Sequence, residues 1–201
     1  MPLSHYHHGD LRAALLRAGM ELLEQEGSKD LSLRAVARRA GVSPGAPYRH
    51  YADREALISA IAAIGYRELA ADMAAAQPAP ETADEFAEVG VVYVEFALRR
   101  PALFRVMFGA PCDRDSSERV AATSAISEYL TANVQRCFPL ADVESTTTAI
   151  WGLVHGLAFL HLDGKLSTDT AATVSERVRL AIGAILTLND RESPRPSAHD
   201  R

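Results

Sequence analysis

The sequence predicts an all-α protein with a small three-helix head and a larger helical body. Apolar residues recur at three- and four-residue spacing along most of the chain and nowhere alternate as in a half-buried strand. Gly and Pro punctuate the periodic runs, at Gly27, Gly41, Pro78, Pro80, Pro101, Pro111, Pro139 and Gly164. The stretch 31–57, LSLRAVARRAGVSPGAPYRHYADREAL, reads as a helix, a tight turn, a second helix and the start of a third.

The elements follow in order. SHYHHGD opens the chain, and its histidines admit a metal site, an affinity tag or a native arm. A first helix follows Gly9 and Asp10, with Leu11, Leu15, Ala18 and Leu22 on one stripe and Gly27 at its end. It is expected to pack over the next two. Ser32 is a good N-cap, because its hydroxyl accepts from an orphan N–H one turn on. Leu33, Val36, Ala37 and Ala40 then share one face, and Gly41 supplies the left-handed residue that ends the helix. Val42 plugs the corner. Ser43 caps again, with Pro44 at the first helical position, where a missing N–H costs little. The second motif helix is expected from Pro44 to about Tyr51, and Asp53 caps the third.

Helix, Gly-containing turn and helix make a helix-turn-helix, whose second helix enters the DNA major groove. The composition suits that use. Gly45, Ala46 and Pro47 are small, so backbone can approach base edges. Tyr48, Arg49, His50, Tyr51 and Arg54 offer hydroxyls and cations to phosphates. From Lys29 to Arg54 there are six Lys/Arg against two Asp. The expected backbone contacts are Ser32, Arg34, Tyr48, Arg49 and Arg54. Gly45, Ala46 and Arg49 face bases, with Arg49 open to either role. Ser43, Pro44 and His50 complete the surface. The competing reading is a solvated loop between core helices.

The same residues carry a resemblance. SLRAVARRAGVSPGAPYRHYADREALISAI is similar to the DNA-binding head of the TetR (tetracycline-repressor-like) family of bacterial transcription regulators. The matching features are the Ser32 cap, the turn Gly41-Val42-Ser43, the aromatic spacing Tyr48 to Tyr51, and Arg54-Glu55-Ala56-Leu57. The resemblance covers roughly the first 60 residues. Further on, Trp151-x-x-x-His155-Gly156 resembles the effector domain of the subgroup named for those three residues. SHYHHGD resembles that subgroup's lead-in, which favours a native arm.

The body continues with a helix from about Asp53 to Ala76, broken by Gln77-Pro78-Ala79-Pro80. Further helices are expected at Thr82–Arg99, Ala102–Phe108, Ser117–Cys137, Asp142–Leu162 and Thr168–Leu188. The organisation expected is a helix-turn-helix domain at 1–54, an effector and dimerisation domain at 55–190, and a disordered polar tail at 191–201.

At 201 residues the chain is long enough for a real core. The net charge is −5, but residues 1–60 hold eight Lys/Arg and seven Asp/Glu while the remainder holds 13 and 19. A locally basic face on an acidic body suits a regulator with one DNA surface. No apolar run approaches the roughly 18 residues of a membrane span, and the start lacks a signal-peptide core. Cys112 and Cys137 show neither metal-ligand spacing nor a disulfide framework, so a cytoplasmic protein is expected. No phosphate loop, nucleophile motif or paired carboxylates point to an enzyme, and no cofactor is expected. A metal fits poorly: His155 and His161 stand about 120° apart around a helix.

The helix at Asp142–Leu162 is apolar on nearly every side, and such a helix must be buried on nearly every side. Ala149, Gly152 and Gly156 would let another backbone come close. A homodimer is therefore expected, built from this helix and the last one, whose stripe is Val174, Val178, Ala181, Ile182 and Ile185. Trp151 and His155 have two readings. Either they are core, or they are polar handles in an apolar effector cavity lined by Phe86, Tyr93, Phe96, Phe104, Met107 and Phe108. The function expected is a DNA-binding transcriptional regulator, a repressor released from a near-palindromic operator by a small, mainly apolar effector. The alternative is a constitutive or architectural DNA-binding regulator with no ligand.

Overall fold

A computed structural model describes residues 8–109 and 115–191. The arm Ser4–His7, Cys112 and the tail beyond Arg191 lie outside them. The described chain is all helical: α1 (His8–Glu26), α2 (Leu33–Arg39), a 3₁₀ turn (Pro47–Arg49), α3 (Arg54–Ala76), α4 (Ala83–Arg99), α5 (Pro101–Gly109), α6 (Ser117–Cys137), α7 (Val143–Leu162) and α8 (Ala171–Arg191). Among the described residues there is no strand.

Side-chain caps set most of these boundaries. Ser32 Oγ accepts from Ala35 N at 3.2 Å and starts α2. Asp53 Oδ1 accepts from Ala56 N and starts α3. Thr82 and Glu85 form a reciprocal capping box before α4. Asp142 Oδ1 accepts from Ser145 N before α7. α8 begins later than the expected Thr168, because Thr170 is its cap and Ser167–Asp169 forms a separate turn. At the end of α2, Gly41 adopts φ 68°. Gly41 N–H and Val42 N–H then donate to Arg38 O and Ala37 O, which satisfies two carbonyls the helix leaves open.

One expected helix is absent. Pro44 to Tyr51 does not form an α-helix; it runs as successive tight turns, with Ala46 N–H on Ser43 O, Arg49 N–H on Ala46 O and His50 N–H on Pro47 O. Pro47 explains this. It has no N–H to give Ser43 O, and its ring crowds that carbonyl in an α-helical path.

The contacts divide the chain into two compact units, and not at residue 54. The first takes in the chain to Glu68 together with Arg100–Ala125; the second takes in Leu69–Arg99 and the chain from Ile126 onward. In the first, α1 packs on α2 and α5, and α2 on the 3₁₀ turn. Leu15, Leu23, Leu31, Leu57, Ile58, Ile61, Leu103 and Phe104 are its fully buried core. α5 lies against α3 because Gly65 has no side chain: a Cβ there would stand 2.6 Å from Met107 Sδ and 3.1 Å from Leu103 Cδ1. Tyr66 OH donates to Met107 O at 2.6 Å.

In the second unit α4 is central and packs on α7 and α8. A Cβ on Gly90 would stand 2.5 Å from Ile182 Cδ1 and 3.1 Å from Val154 Cγ1. Both α7 and α8 are thus seated on a bare stretch of α4 backbone. Two substitutions test these constraints by thermal or denaturant unfolding. Gly90→Val is expected to destabilise by about 1–3 kcal/mol through overpacking. Gly41→Ala, at positive φ with open space beside it, is expected to cost about 1 kcal/mol through backbone strain alone.

Candidate functional site

The surface expected to meet DNA is built by α2 and the turn after it. Ser32, Arg34, Ser43, Pro44, Gly45, Tyr48 and Arg49 are exposed and His50 is half-buried. Tyr48 is 53% exposed, a large amount for an aromatic side chain with no surface role in the chain itself. A Cβ on Gly45 would meet nothing, so the backbone there is open to approach.

Three expectations need correction. Ala46 is 9% exposed and Pro47 is buried; they are the inner side of the turn, which holds Tyr48 and Arg49 outward. Tyr51 is buried too, with the Arg12 guanidinium 5.9 Å from its ring centre, and burial raises its phenol pKa. Arg54 is engaged within the chain itself. Its Nε and Nη2 donate to Leu31 O and Ser28 O at 2.8 and 2.6 Å, tying the loop before α2 to the start of α3. Arg39 is likewise engaged by Gln25, Glu26 and Glu21 of α1. Arg38 and Lys29, which are exposed, extend the basic face.

The second unit holds an apolar cavity. Its walls are Met73, Phe86, Val89, Gly90, Tyr93, Leu130, Val134, Thr147, Ile150, Trp151 and Val154. The space is about 370 Å³ with crevices and mouth included, but the part wide enough for a water-sized group is small. No wall residue carries a formal charge at neutral pH. Trp151 is a wall residue and 46% exposed, so its indole spans cavity and solvent. His155 is not a wall residue; its Nδ1 is hydrogen-bonded to Tyr93 OH at 2.9 Å.

Of the expected cavity residues, Phe86, Tyr93 and Trp151 line this space. Phe96 is fully buried in the same unit, with Arg99 over its ring, and is not in the wall. Phe104, Met107 and Phe108 belong to the first unit. Phe104 and Phe108 meet at a tilt with ring centres 4.8 Å apart, and Phe108 and Tyr66 meet edge to face at 5.4 Å. The Arg100-Pro101 break turns α5 back onto α1 and α3, and Gly65 gives Met107 its seat. Leu130 and Val134 were missed, although their four-residue spacing marks a face of α6. Thr147 was missed as well; Thr147, Ile150, Trp151 and Val154 form the wall stripe of α7.

The expected pairing face also divides. Ala149 and Gly152 are exposed and Gly156 is partly so, and a Cβ on either glycine would meet nothing within 4 Å. Val174, Val178 and Ile182 are 2, 0 and 0% exposed; α8 packs on α4 within the chain itself, with Val178 and Ile182 at Gly90. They are not a free surface. Ile185 is half-buried. Among the described residues, the large apolar side chains turned outward on these helices are Trp151 and Leu160 of α7 and Leu180 of α8, 46, 44 and 65% exposed.

Among the described residues, no group of His, Cys, Asp and Glu could hold a metal, and no helix is long and apolar enough to cross a membrane. Cys137 Sγ donates to Pro80 O at 3.2 Å, and burial pushes its thiol pKa up, away from the reactive thiolate.

A capped helix, a left-handed glycine corner and an exposed Tyr-Arg turn on a helical head define a helix-turn-helix protein. Comparison with known proteins names the family. Residues 15–61 match the family model of bacterial regulatory proteins of the tetR family, and residues 86–184 match that of the tetracyclin repressor-like C-terminal domain. A solved structure of a protein with unknown function from Rhodococcus sp. RHA1 is 31% identical, covers 90% of this chain and 97% of its own, and superposes with a TM-score of 0.76. A putative transcriptional regulator from Pseudomonas aeruginosa PAO1, 17% identical over 95% of this chain and 97% of its own, shares the fold with a TM-score of 0.72. An HTH-type transcriptional regulator of Mycobacterium bovis is 27% identical over 104 residues, 50% of this chain and 44% of its own. The chain thus spans less than half the length of that curated relative. It belongs to the tetR family of bacterial regulatory proteins, a family of transcriptional regulators and not of enzymes.

The two described histidines of α7 make one prediction. Burial lowers the pKa of His155 and, with help from Arg177, that of His161 below the ordinary 6.5. The folded chain then binds fewer protons than the unfolded chain below that pH. Stability is intact above about pH 6.5 and is lost as pH falls through the lowered folded values. Thermal midpoints measured from pH 7.5 to 5 are expected to drop, and His155→Gln and His161→Gln are each expected to flatten the drop. A flat wild-type profile over that range contradicts it.

Proposed function

We propose that this protein is a ligand-responsive, DNA-binding transcriptional regulator of the cytoplasm. It acts as a homodimeric repressor that leaves a near-palindromic operator when a small, mainly apolar effector binds. One observation carries the reading: the chain has both an outward Tyr48–Arg49 turn and a narrow apolar cavity, and α3 and α6 contribute to both units. Arg54 at the start of α3 anchors the loop before α2, while Met73 near its end is a cavity wall. Glu118 at the start of α6 pairs with Arg12, while Leu130 and Val134 are walls. A ligand that displaces those walls acts on helices that also build the head. Coupling of this kind is about 1–3 kcal/mol, or roughly 5–150-fold in operator affinity.

The same chain as a constitutive regulator without a ligand is the second reading. The narrowness of the cavity supports it. Measuring operator affinity with and without a bound small molecule separates the two, since equal affinities mean the cavity does not signal.

For DNA, the chain's own operator is first selected from random duplexes. Tyr48→Ala is expected to weaken binding to all sequences, as loss of a phosphate contact does. Arg49→Ala is expected to relax specificity at one base position if it reads guanine, at about 1–3 kcal/mol. Unchanged affinity and specificity in both variants would sink the surface assigned here. For assembly, the uncovered glycine face of α7 with Leu160 and Leu180 supports pairing of α7 and α8 with a second copy. Light scattering at micromolar concentration is expected to give a dimer, and Gly152→Arg or Gly156→Arg a monomer that remains folded.

A further inference from the structure

We propose that the cavity of the second unit selects a compact, uncharged molecule, one ring or a short chain in size, carrying a single oxygen that hydrogen-bonds Thr147 Oγ1. This rests on the reading of that cavity as an effector site.

The wall chemistry carries the selection. All the walls but two are hydrocarbon, indole, thioether or bare backbone. A carboxylate or ammonium entering there would lose its water and meet no opposite charge, a loss the apolar walls do nothing to offset. The two walls with hydroxyls are Tyr93 and Thr147, and the indole N–H of Trp151 adds one donor. The Tyr93 hydroxyl is already hydrogen-bonded to His155 Nδ1. The Thr147 hydroxyl is different: it has no hydrogen-bond partner and is closed off both from solvent and from the present cavity space, so an oxygen reaches it only when the walls part. A buried hydroxyl without a partner is uncommon in a folded chain and carries a desolvation cost that any suitable partner relieves. Water is a poor candidate for that partner. Ordered buried waters make two to four hydrogen bonds, and of the other wall groups the Tyr93 hydroxyl is already bonded to His155 and most of the rest are apolar. A molecule that brings its own apolar surface to those walls and one oxygen to Thr147 satisfies both. A hydroxyl both donates and accepts, so an alcohol, phenol or ketone oxygen serves.

Size follows from the same space. The wide part of the cavity holds little more than a water-sized group, so any ligand must part the walls. Trp151, the chain's one tryptophan, is the wall residue that reaches solvent. Its fluorescence therefore reports occupancy directly.

The test uses the full chain and four probes of one shape: benzyl alcohol, toluene, benzoate and benzylammonium. Affinities come from calorimetry and from Trp151 emission. Benzyl alcohol and toluene are expected to bind the wild type and the two ions not to bind measurably. Thr147→Val, which keeps the shape and removes the hydroxyl, is expected to weaken benzyl alcohol roughly tenfold and leave toluene unchanged. Thr147→Ser is expected to retain wild-type preference, and Thr147→Ala supplies the same contrast should the valine variant not fold. Toluene binding alongside an unchanged affinity of Thr147→Val for benzyl alcohol overturns the role of Thr147 while leaving the cavity a ligand site. Ions that bind as tightly as benzyl alcohol overturn the uncharged class in the same way. If none of the four probes binds or moves Trp151 emission, both this inference and the effector-site reading fall.

Discussion

The missing side chain at Gly90 is the constraint on which the second unit depends. It brings α7 and α8 onto α4 at a distance that no other residue permits, and three consequences follow. The apolar stripe Val174, Val178 and Ile182 is consumed inside the chain. What remains outward on α7 and α8 is therefore the small-residue face of α7 and the larger apolar groups Leu160 and Leu180. Gly90 and Val154 are also cavity walls, so the same close approach narrows the cavity. Packing of the chain on itself thus determines both the surface left for a second copy and the room left for a ligand. Gly65 does the same service in the first unit, where it seats Met107 and Leu103 and draws α5 into the head.

The head shows how an acidic protein can still offer DNA a basic face. Its cations fall into two groups. Arg12, Arg39 and Arg54 are engaged within the head, by Glu118, by the end of α1 and by the loop carbonyls of Ser28 and Leu31. Those bonds hold the elements at fixed angles. Arg34, Arg38 and Arg49 are exposed on α2 and the turn. The first group orients the second, and Pro47 adds to this by fixing the turn with its own ring buried. An exposed Tyr48 and Arg49 on a turn that cannot relax into a helix are pre-positioned side chains.

Much of the fold was legible because it is written in local chemistry. Ser32, Asp53, Thr82 and Asp142 cap where their side chains say they must, and Gly41 ends α2 by the only conformation that closes its carbonyls. The second motif helix was misread because Pro44 at a first helical position argued for a helix, whereas Pro47 three residues on argued against it. A helical period cannot arbitrate between two prolines; the missing N–H at Pro47 can. Arg54 and Tyr51 were assigned to DNA on residue type, which does not reveal that a loop carbonyl or a buried ring will claim them. The cavity was half legible. Phe86, Tyr93 and Trp151 were found because bulky residues stand out, but α5's aromatics stand out equally and belong elsewhere. Which of two aromatic clusters lines a space depends on tertiary packing at Gly65 and Gly90, and a glycine's absent side chain leaves no positive signal in a sequence.

The proposed response to a ligand follows from this division of labour. A cavity this narrow can admit a molecule only by moving its walls, and wall movement is what an effector must produce. A roomy, preformed cavity would bind more tightly but would displace nothing. The narrowness that supports a ligand-free regulator is, on the proposed reading, the feature that converts binding into displacement of α3 and α6. Linkage then sets the terms. Whatever free energy the operator gains from one placement of those helices, the ligand must overcome, and the ligand is weakened by the same factor when DNA is bound. A ligand with many strong contacts is not required for that. What is required is a difference in fit between the two placements, and on the proposed reading the buried Thr147 hydroxyl, which is without a partner, supplies such a difference.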